Sequence, residues 1–286
     1  KIMNITVFGE VLWDVFASDR KIGGAPFNFA AHVCRLGGNA ALVSAVGNDE
    51  LGADALKEIN RLGVDSAPVA FCDKPTGYCA VTLKNGTPEY DLVKNTAYDF
   101  IPVPQEKYFS ADALYFGTLA QRGEFSRKTL KKLLSGSYGE VFFDINIRGD
   151  FYSDEIIRDS LSASTILKIS REEIGVLGIK GDNETVCREL KKIYPKLKLI
   201  IVTLDCDGAF VFSCAEETST YAKKPTVTPV STVGAGDSFS ACFLYNYLSG
   251  ATAEQCLDRA SNLAGFVVTQ LGAIPEYPAE LLSAIR

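Results

Sequence analysis

Residues 231–244 read STVGAGDSFSACFL, two glycines followed at once by an apolar run. Gly234 and Gly236 lack a Cβ, so the backbone there turns tightly and can approach whatever lies above it. Phe239, Cys242, Phe243 and Asn246 follow at spacings of three and four, which predicts a helix opening at the glycines. The first N–H groups of such a helix have no intrahelical acceptor and favour an anion. Asp237 places a carboxylate inside that anion-binding turn. Either it is an acidic first-turn residue answering the helix dipole, or it does chemistry beside a bound phosphate.

Outward from this turn, strand-length apolar runs at 5–9 (ITVFG), 40–47 (AALVSAVG), 113–117 (ALYFG), 140–146 (EVFFDIN), 165–170 (TILKIS) and 197–204 (LKLIIVTL) alternate with helical patterns. That alternation predicts an α/β fold with a parallel sheet and crossover helices. The clearest helix is expected over 253–271. Cys256, Leu257, Ala260, Leu263, Ala264, Val267, Val268 and Leu271 form its apolar face, Thr252 and Gln255 a capping box, and Gly272 and Pro275 the stop. Residues 69–98 break the alternation: GYCAVTL and PEYDLV flank Asn85-Gly86, a hairpin signal. Together with the extended stretch 11–22 they are expected to form a small β lid over a single domain spanning 1–286. An ordinary extension of the main sheet edge is the alternative.

At 286 residues and 47% hydrophobic, the chain is long enough for one large core. A net charge of −6 without a long basic run argues against a nucleic-acid binder, so any phosphate site is local. Eight cysteines contain no C-x-x-C pair, which points to reduced, mostly buried thiols rather than a zinc or redox motif. No apolar run approaches membrane-spanning length, and the expectation is a cytoplasmic protein.

Polar residues cluster where open α/β sheets place ligands, past the carboxyl ends of strands. Asp14 follows the first strand; Asp144, Asn146 and Arg148 close the DINIR run; Ser170 and Glu173 follow TILKIS; and Asp205 follows IIVTL. Each alone could be a turn former. A second glycine-rich element, GGAPFNFAAHVCRLGG at 23–38, leads into a helix in which Asn28 offers both a donor and an acceptor to a polyhydroxyl ligand. The Walker pattern is absent, and Phe239 stands where a dinucleotide fingerprint needs its third glycine. His32, the one histidine, sits beside Val33 and Cys34 and reads as a core or surface residue rather than a triad member. These residues suit phosphoryl transfer, in which the protein positions reactants, spreads charge and uses one carboxylate to take the proton of an attacking hydroxyl. Asp237 fits that carboxylate.

The two glycine elements resemble the paired signatures of the ribokinase or PfkB carbohydrate kinases, and the similarity runs over essentially the whole chain. FGTLAQR at 116–122, DINIR at 144–148 and KISREE at 168–173 are most similar to the fructokinases. The resemblance implies a ribokinase-like fold and ATP-dependent phosphorylation of a sugar's primary alcohol. Asp237 would be the base and Gly234, Ala235 and Gly236 the anion hole. It also implies that Asp14, Gly24 and Asn28 hold the sugar, with Arg148 near the sugar or the moving phosphate. Lys168, Ser170, Thr203, Asp205, Gly208 and Asn262 would line the nucleotide, and Glu173 would organise Mg²⁺ and its waters. The lid would close over the sugar and could form a homodimer contact. Ser231 occupies the place of an Asp that helps bind a monovalent cation in many relatives, which argues against potassium activation. Ser170 replaces the Asn of the family's N-x-x-E. Kinases for 2-keto-3-deoxygluconate, ribose or a nucleoside, and a sugar sensor without turnover, are the other readings.

Overall fold

The computed structural model describes residues 2–15, 19–84, 87–223 and 225–286. Nine strands form one sheet in the order β13 (Thr218–Ala222), β12 (Ala209–Ser213), β11 (Leu199–Thr203), β10 (Ile166–Ser170), β9 (Ser137–Asp144), β8 (Ser110–Gly117), β1 (Asn4–Phe8), β4 (Asn39–Gly47) and β5 (Val69–Cys72). The pairs from β11 through β5 are parallel, and β12 and β13 run antiparallel at one edge. Seven strands therefore deliver their carboxyl ends to one rim.

Successive side chains of a strand point to opposite faces, and here both faces are buried. Ile5, Val7, Ala113, Tyr115, Ile166, Leu199 and Ile201 face one core. Their neighbours Phe8, Leu114, Phe116, Leu167, Ile200 and Val202 face the other. Helices α1 (Ala25–Arg35), α2 (Glu50–Arg61), α6 (Ala235–Leu248), α7 (Ala253–Val267) and α8 (Ala279–Ile285) cover the first side. Helices α3 (Glu124–Leu133), α4 (Asp154–Ala163) and α5 (Asn183–Ile193) cover the second. The result is the three-layer α/β arrangement that the alternation predicts.

A separate four-stranded sheet, ordered β3 (Arg20–Gly23), β2 (Leu12–Val15), β6 (Gly77–Lys84) and β7 (Thr87–Leu92), corresponds to the expected lid. Its boundaries differ from the expectation: Val69–Cys72 pairs with β4 and extends the large sheet, and Ala97–Phe100 is a 3-10 turn with Ala97 and Tyr98 fully buried. Strands β6 and β7 pair antiparallel up to Lys84 and Thr87. The Asn85-Gly86 turn lies outside the described residues.

Helix α7 starts on the Thr252–Gln255 capping box but ends at Val267, short of the predicted 271. The N–H groups of Thr269 and Gln270 bond three residues back, to Phe266 and Val267 at 3.0 Å, which tightens the chain out of the α-helix. Leu271 is consequently 80% exposed rather than part of the apolar face.

Candidate active site

The glycine turn at 234–236 lies open. Gly236 is exposed and Gly234, Ala235 and Asp237 are half-buried. Gly234 caps α6 at φ 81°, a left-handed conformation that disfavours side chains. Of the three amides expected to bind an anion, Ala235 donates back to the Thr232 carbonyl at 3.3 Å. The N–H groups of Gly234 and Gly236 have no acceptor among the described residues. Two of these three amides are thus unengaged within the turn.

Asp237 occupies the first turn of α6, and Asn28 of α1 donates its Nδ2 to Asp237 Oδ2 at 2.8 Å. Asn28 is 4% exposed, and its Oδ1 is buried without a partner among the described residues. An orphaned acceptor beside a carboxylate suits a ligand hydroxyl, which can donate to the amide oxygen. Burial raises the Asp237 pKa to about 6; the Asn28 hydrogen bond opposes this, the Asp144 charge adds to it, and Lys168 and Arg148 pull it down. The carboxylate is therefore a better proton acceptor than an ordinary Asp while remaining largely ionised at neutral pH.

Beneath Gly236 lies a buried ion pair. Lys168 Nζ sits 3.0 Å from both oxygens of Asp144, which also accepts from the Tyr115 hydroxyl at 3.1 Å and the Ser240 hydroxyl at 2.9 Å. A Cβ on Gly236 would lie 3.6 Å from Lys168 Nζ. Lys168, expected along the nucleotide, is thus beside the anion-binding turn itself.

Gly24 caps α1 at φ 104°, and a Cβ there would lie 2.6 Å from the Glu10 carbonyl oxygen. Asp14 is half-buried on β2, its Oδ2 3.6 Å from where a Gly23 Cβ would stand. Burial raises the Asp14 pKa against the lowering charge of Arg148. Arg148 is exposed and its side chain makes no hydrogen bond or ion pair with a described residue, yet its charge acts on Glu10, Asp14 and Asp237 alike. Glu10 is the residue that the sequence reading missed. It is 4% exposed, and burial raises its pKa to about 7 against the backbone N–H groups of Glu10 and Ala25 and the Arg148 charge. Its only sequence signal is a carboxylate placed between Phe8-Gly9 and Val11 at the end of the first strand.

Farther along the rim, Ser170 and Thr203 end the paired strands β10 and β11 at matching register. Glu173 Oε1 accepts from the Ile147 N–H at 2.7 Å and Oε2 from the Ser170 N–H at 2.9 Å. Asp205 takes a left-handed φ of 53°, and Gly208 closes the same turn by donating to its carbonyl at 3.4 Å. Asn262 lies on the exposed side of α7, and no hydrogen bond ties it to the other candidates. Among the described residues no group of three His, Cys, Asp or Glu side chains could hold a metal alone. A magnesium ion at such a site would have to take most of its ligands from water and phosphate. The seven cysteines with described side chains are free thiols, as expected. Among the described residues no helix is long and apolar enough to cross a membrane.

Against this geometry, comparison with known proteins is specific. An uncharacterized sugar kinase of Pyrococcus horikoshii is 30% identical over 249 residues, covering 83% of this chain and 76% of its own. Its ATP complex superposes with a TM-score of 0.80 at 25% identity, over 99% of this chain and 100% of the other. Fructokinase-1 of Oryza sativa is 28% identical over 298 residues, 96% of this chain and 91% of its own. The Vibrio cholerae fructokinase bound to fructose, ADP and calcium shares the fold, with a TM-score of 0.81 over 99% of each chain at 22% identity. The model of the pfkB family carbohydrate kinases matches residues 3–280, and the chain belongs to that family.

Proposed function

We propose that the protein transfers the γ-phosphoryl group of ATP to the primary hydroxyl of a neutral sugar, D-fructose, giving fructose 6-phosphate and ADP. The observation that carries this reading is the pairing of Asp237 with two unengaged amides at one helix start, next to the orphaned Oδ1 of Asn28. The sugar stands against Asp14, the Gly24 turn and Asn28, its hydroxyls donating to the carboxylate and the free amide oxygen. Asp237 accepts the proton of the attacking hydroxyl as the new oxygen–phosphorus bond forms and the bond to the ADP oxygen breaks. A loose transition state makes that proton transfer late, so a carboxylate with a pKa near 6 suffices. The Gly234 and Gly236 N–H groups and the Lys168 ammonium hold the oxygens of the moving group, and Arg148 is free to swing over it. Ser170, Thr203, Asp205 and Gly208 frame the nucleotide end of the cleft, with Asn262 at its outer margin. Magnesium bound through Glu173-held water would screen the phosphate charges.

Fructose is favoured by the fructokinase relative that covers 96% of this chain. The charge balance of the acceptor pocket agrees: three carboxyl groups, Glu10, Asp14 and Asp237, feel the charge of one Arg148, a setting suited to hydroxyl donors rather than to an acidic sugar. A panel of fructose, 2-keto-3-deoxygluconate, ribose and a nucleoside at fixed MgATP, read by ADP release, tests both levels. Preference for fructose supports the substrate, preference for another member replaces it, and sugar-dependent thermal stabilisation without ADP identifies a sensor.

A further inference from the structure

His32, the single histidine, is fully buried on α1 one turn beyond Asn28. Its Nε2 lies 2.9 Å from the Ala273 carbonyl oxygen, and its Nδ1 meets the Tyr277 hydroxyl. A carbonyl can only accept, so Nε2 carries the proton and Nδ1 accepts from Tyr277. Burial drives the pKa down to about 3, against the pull of the Ala273 carbonyl and helped by the Arg35 charge, so the ring stays neutral. Arg35, one turn further on, reinforces the hold: it pairs with Glu276 at 2.6 Å and reaches the Ile274 carbonyl at 3.4 Å.

The loop that α1 grips in this way is the loop on which the anion-binding turn rests. A Cβ on Gly234 would stand 2.6 Å from Ala273 O and 2.7 Å from Ala273 Cα, so the two backbones are in direct apposition. Just upstream, the Val230 and Ser231 N–H groups both donate to the Val268 carbonyl, at 2.7 and 3.1 Å. Helix α1 therefore meets the start of α6 twice, directly through Asn28 and Asp237 and indirectly through His32, Ala273 and Gly234.

We propose that His32 is a positioning residue for phosphoryl transfer, fixing through Ala273 the backbone against which the Gly234 and Gly236 amides are set. The inference rests on the kinase reading above. Its consequence is asymmetric: the sugar contacts of Asp14, Gly24 and Asn28 remain in place without the imidazole, whereas the amides lose their backing.

Three variants and one spectrum test this. His32→Leu fills the space but removes both hydrogen bonds; kcat should fall at least about tenfold while the sugar KM stays within about twofold. His32→Gln, which keeps a donor and an acceptor, should recover most of kcat. Tyr277→Phe, which removes only the hydroxyl on Nδ1, should give an intermediate loss. With one histidine in the chain, a ¹⁵N-histidine spectrum reports this ring alone. It should show one protonated and one bare nitrogen, unchanged from about pH 5 to 9. Wild-type kcat in both His32→Leu and Tyr277→Phe, an equal rise of the sugar and ATP KM values in place of a kcat loss, or a ring that titrates near its ordinary pKa would overturn the proposal. Should His32→Leu fail to fold, Tyr277→Phe and the spectrum still decide it. Absence of any kinase activity in the unaltered protein would instead reject the kinase reading.

Discussion

Replacing Lys168 with methionine probes stability and chemistry together. The Lys168 side chain is 10% exposed and that of Asp144 2%, and the ammonium lies 3.0 Å from both carboxylate oxygens. Lys168→Met keeps the volume of the stem but leaves Asp144 as a buried carboxylate held only by the Tyr115 and Ser240 hydroxyls. Removing one member of a buried pair costs about 3–5 kcal/mol. The two remaining hydroxyls, and the option for Asp144 to take up a proton, set the expected loss near the lower figure, about 3 kcal/mol. For a chain of this size that lowers the melting temperature by roughly 5 °C, measurable by circular dichroism. A second change distinguishes a lost pair from a lost side chain. Lys168→Met combined with Asp144→Leu removes both charges, and replacing a buried ion pair by apolar groups is close to neutral, so melting should recover by about half or more. Activity should not recover, because the ammonium beside Gly236 is still missing. A single variant that melts within about 2 °C of wild type, or a double variant less stable than the single one, would refute the reasoning that this charge is both buried and balanced.

Other outcomes follow from the same geometry. The kcat/KM for sugar should fall as pH drops through about 6, where Asp237 gains its proton, and Glu10→Gln should leave that limb nearly in place, because Glu10, with a pKa of about 7, is already mostly protonated there. Because the Asp237 pKa is raised in the folded state, its ionisation weakens the fold above about pH 6. Asp237→Asn should thus melt above wild type at pH 8, with the difference fading toward pH 4. Gly24→Ala should raise the sugar KM about tenfold or more and lower stability by about 1–3 kcal/mol, since its Cβ would meet the Glu10 carbonyl at 2.6 Å with φ at 104°. Steady-state kinetics with the ATP KM as the internal control checks this.

How far the sequence could be read depended on whether a feature was local. The two-faced apolar strands and the Thr252–Gln255 box are local patterns, and the sheet and the start of α7 appear where those patterns put them. The end of α7 does not, because the carbonyls of its last turn bond to Thr269 and Gln270 and its Val268 carbonyl is claimed by residues 230 and 231, a choice made by tertiary packing. The lid boundary failed at Val69–Cys72 for a similar reason: a short strand pairs with whichever edge is vacant, and β4 offered one. Glycine turns flag a site because few residues replace them, so Gly24 and the 234–236 turn were legible. The bond between Asn28 and Asp237 spans 209 positions and the backing of Gly234 by Ala273 depends on His32, neither of which a linear pattern encodes. Glu10 escaped notice because a single carboxylate after a strand looks like a turn former until its burial is known.

The proposed reaction needs Asp237 as the acceptor of the sugar proton. Single-turnover phosphoryl transfer by Asp237→Asn, with calorimetric binding of sugar and ATP on the same preparation, tests it most directly. The expected result is a rate lower by about 10²–10⁴-fold with both affinities within about threefold of wild type. A rate within about tenfold of wild type, with binding intact, would contradict it.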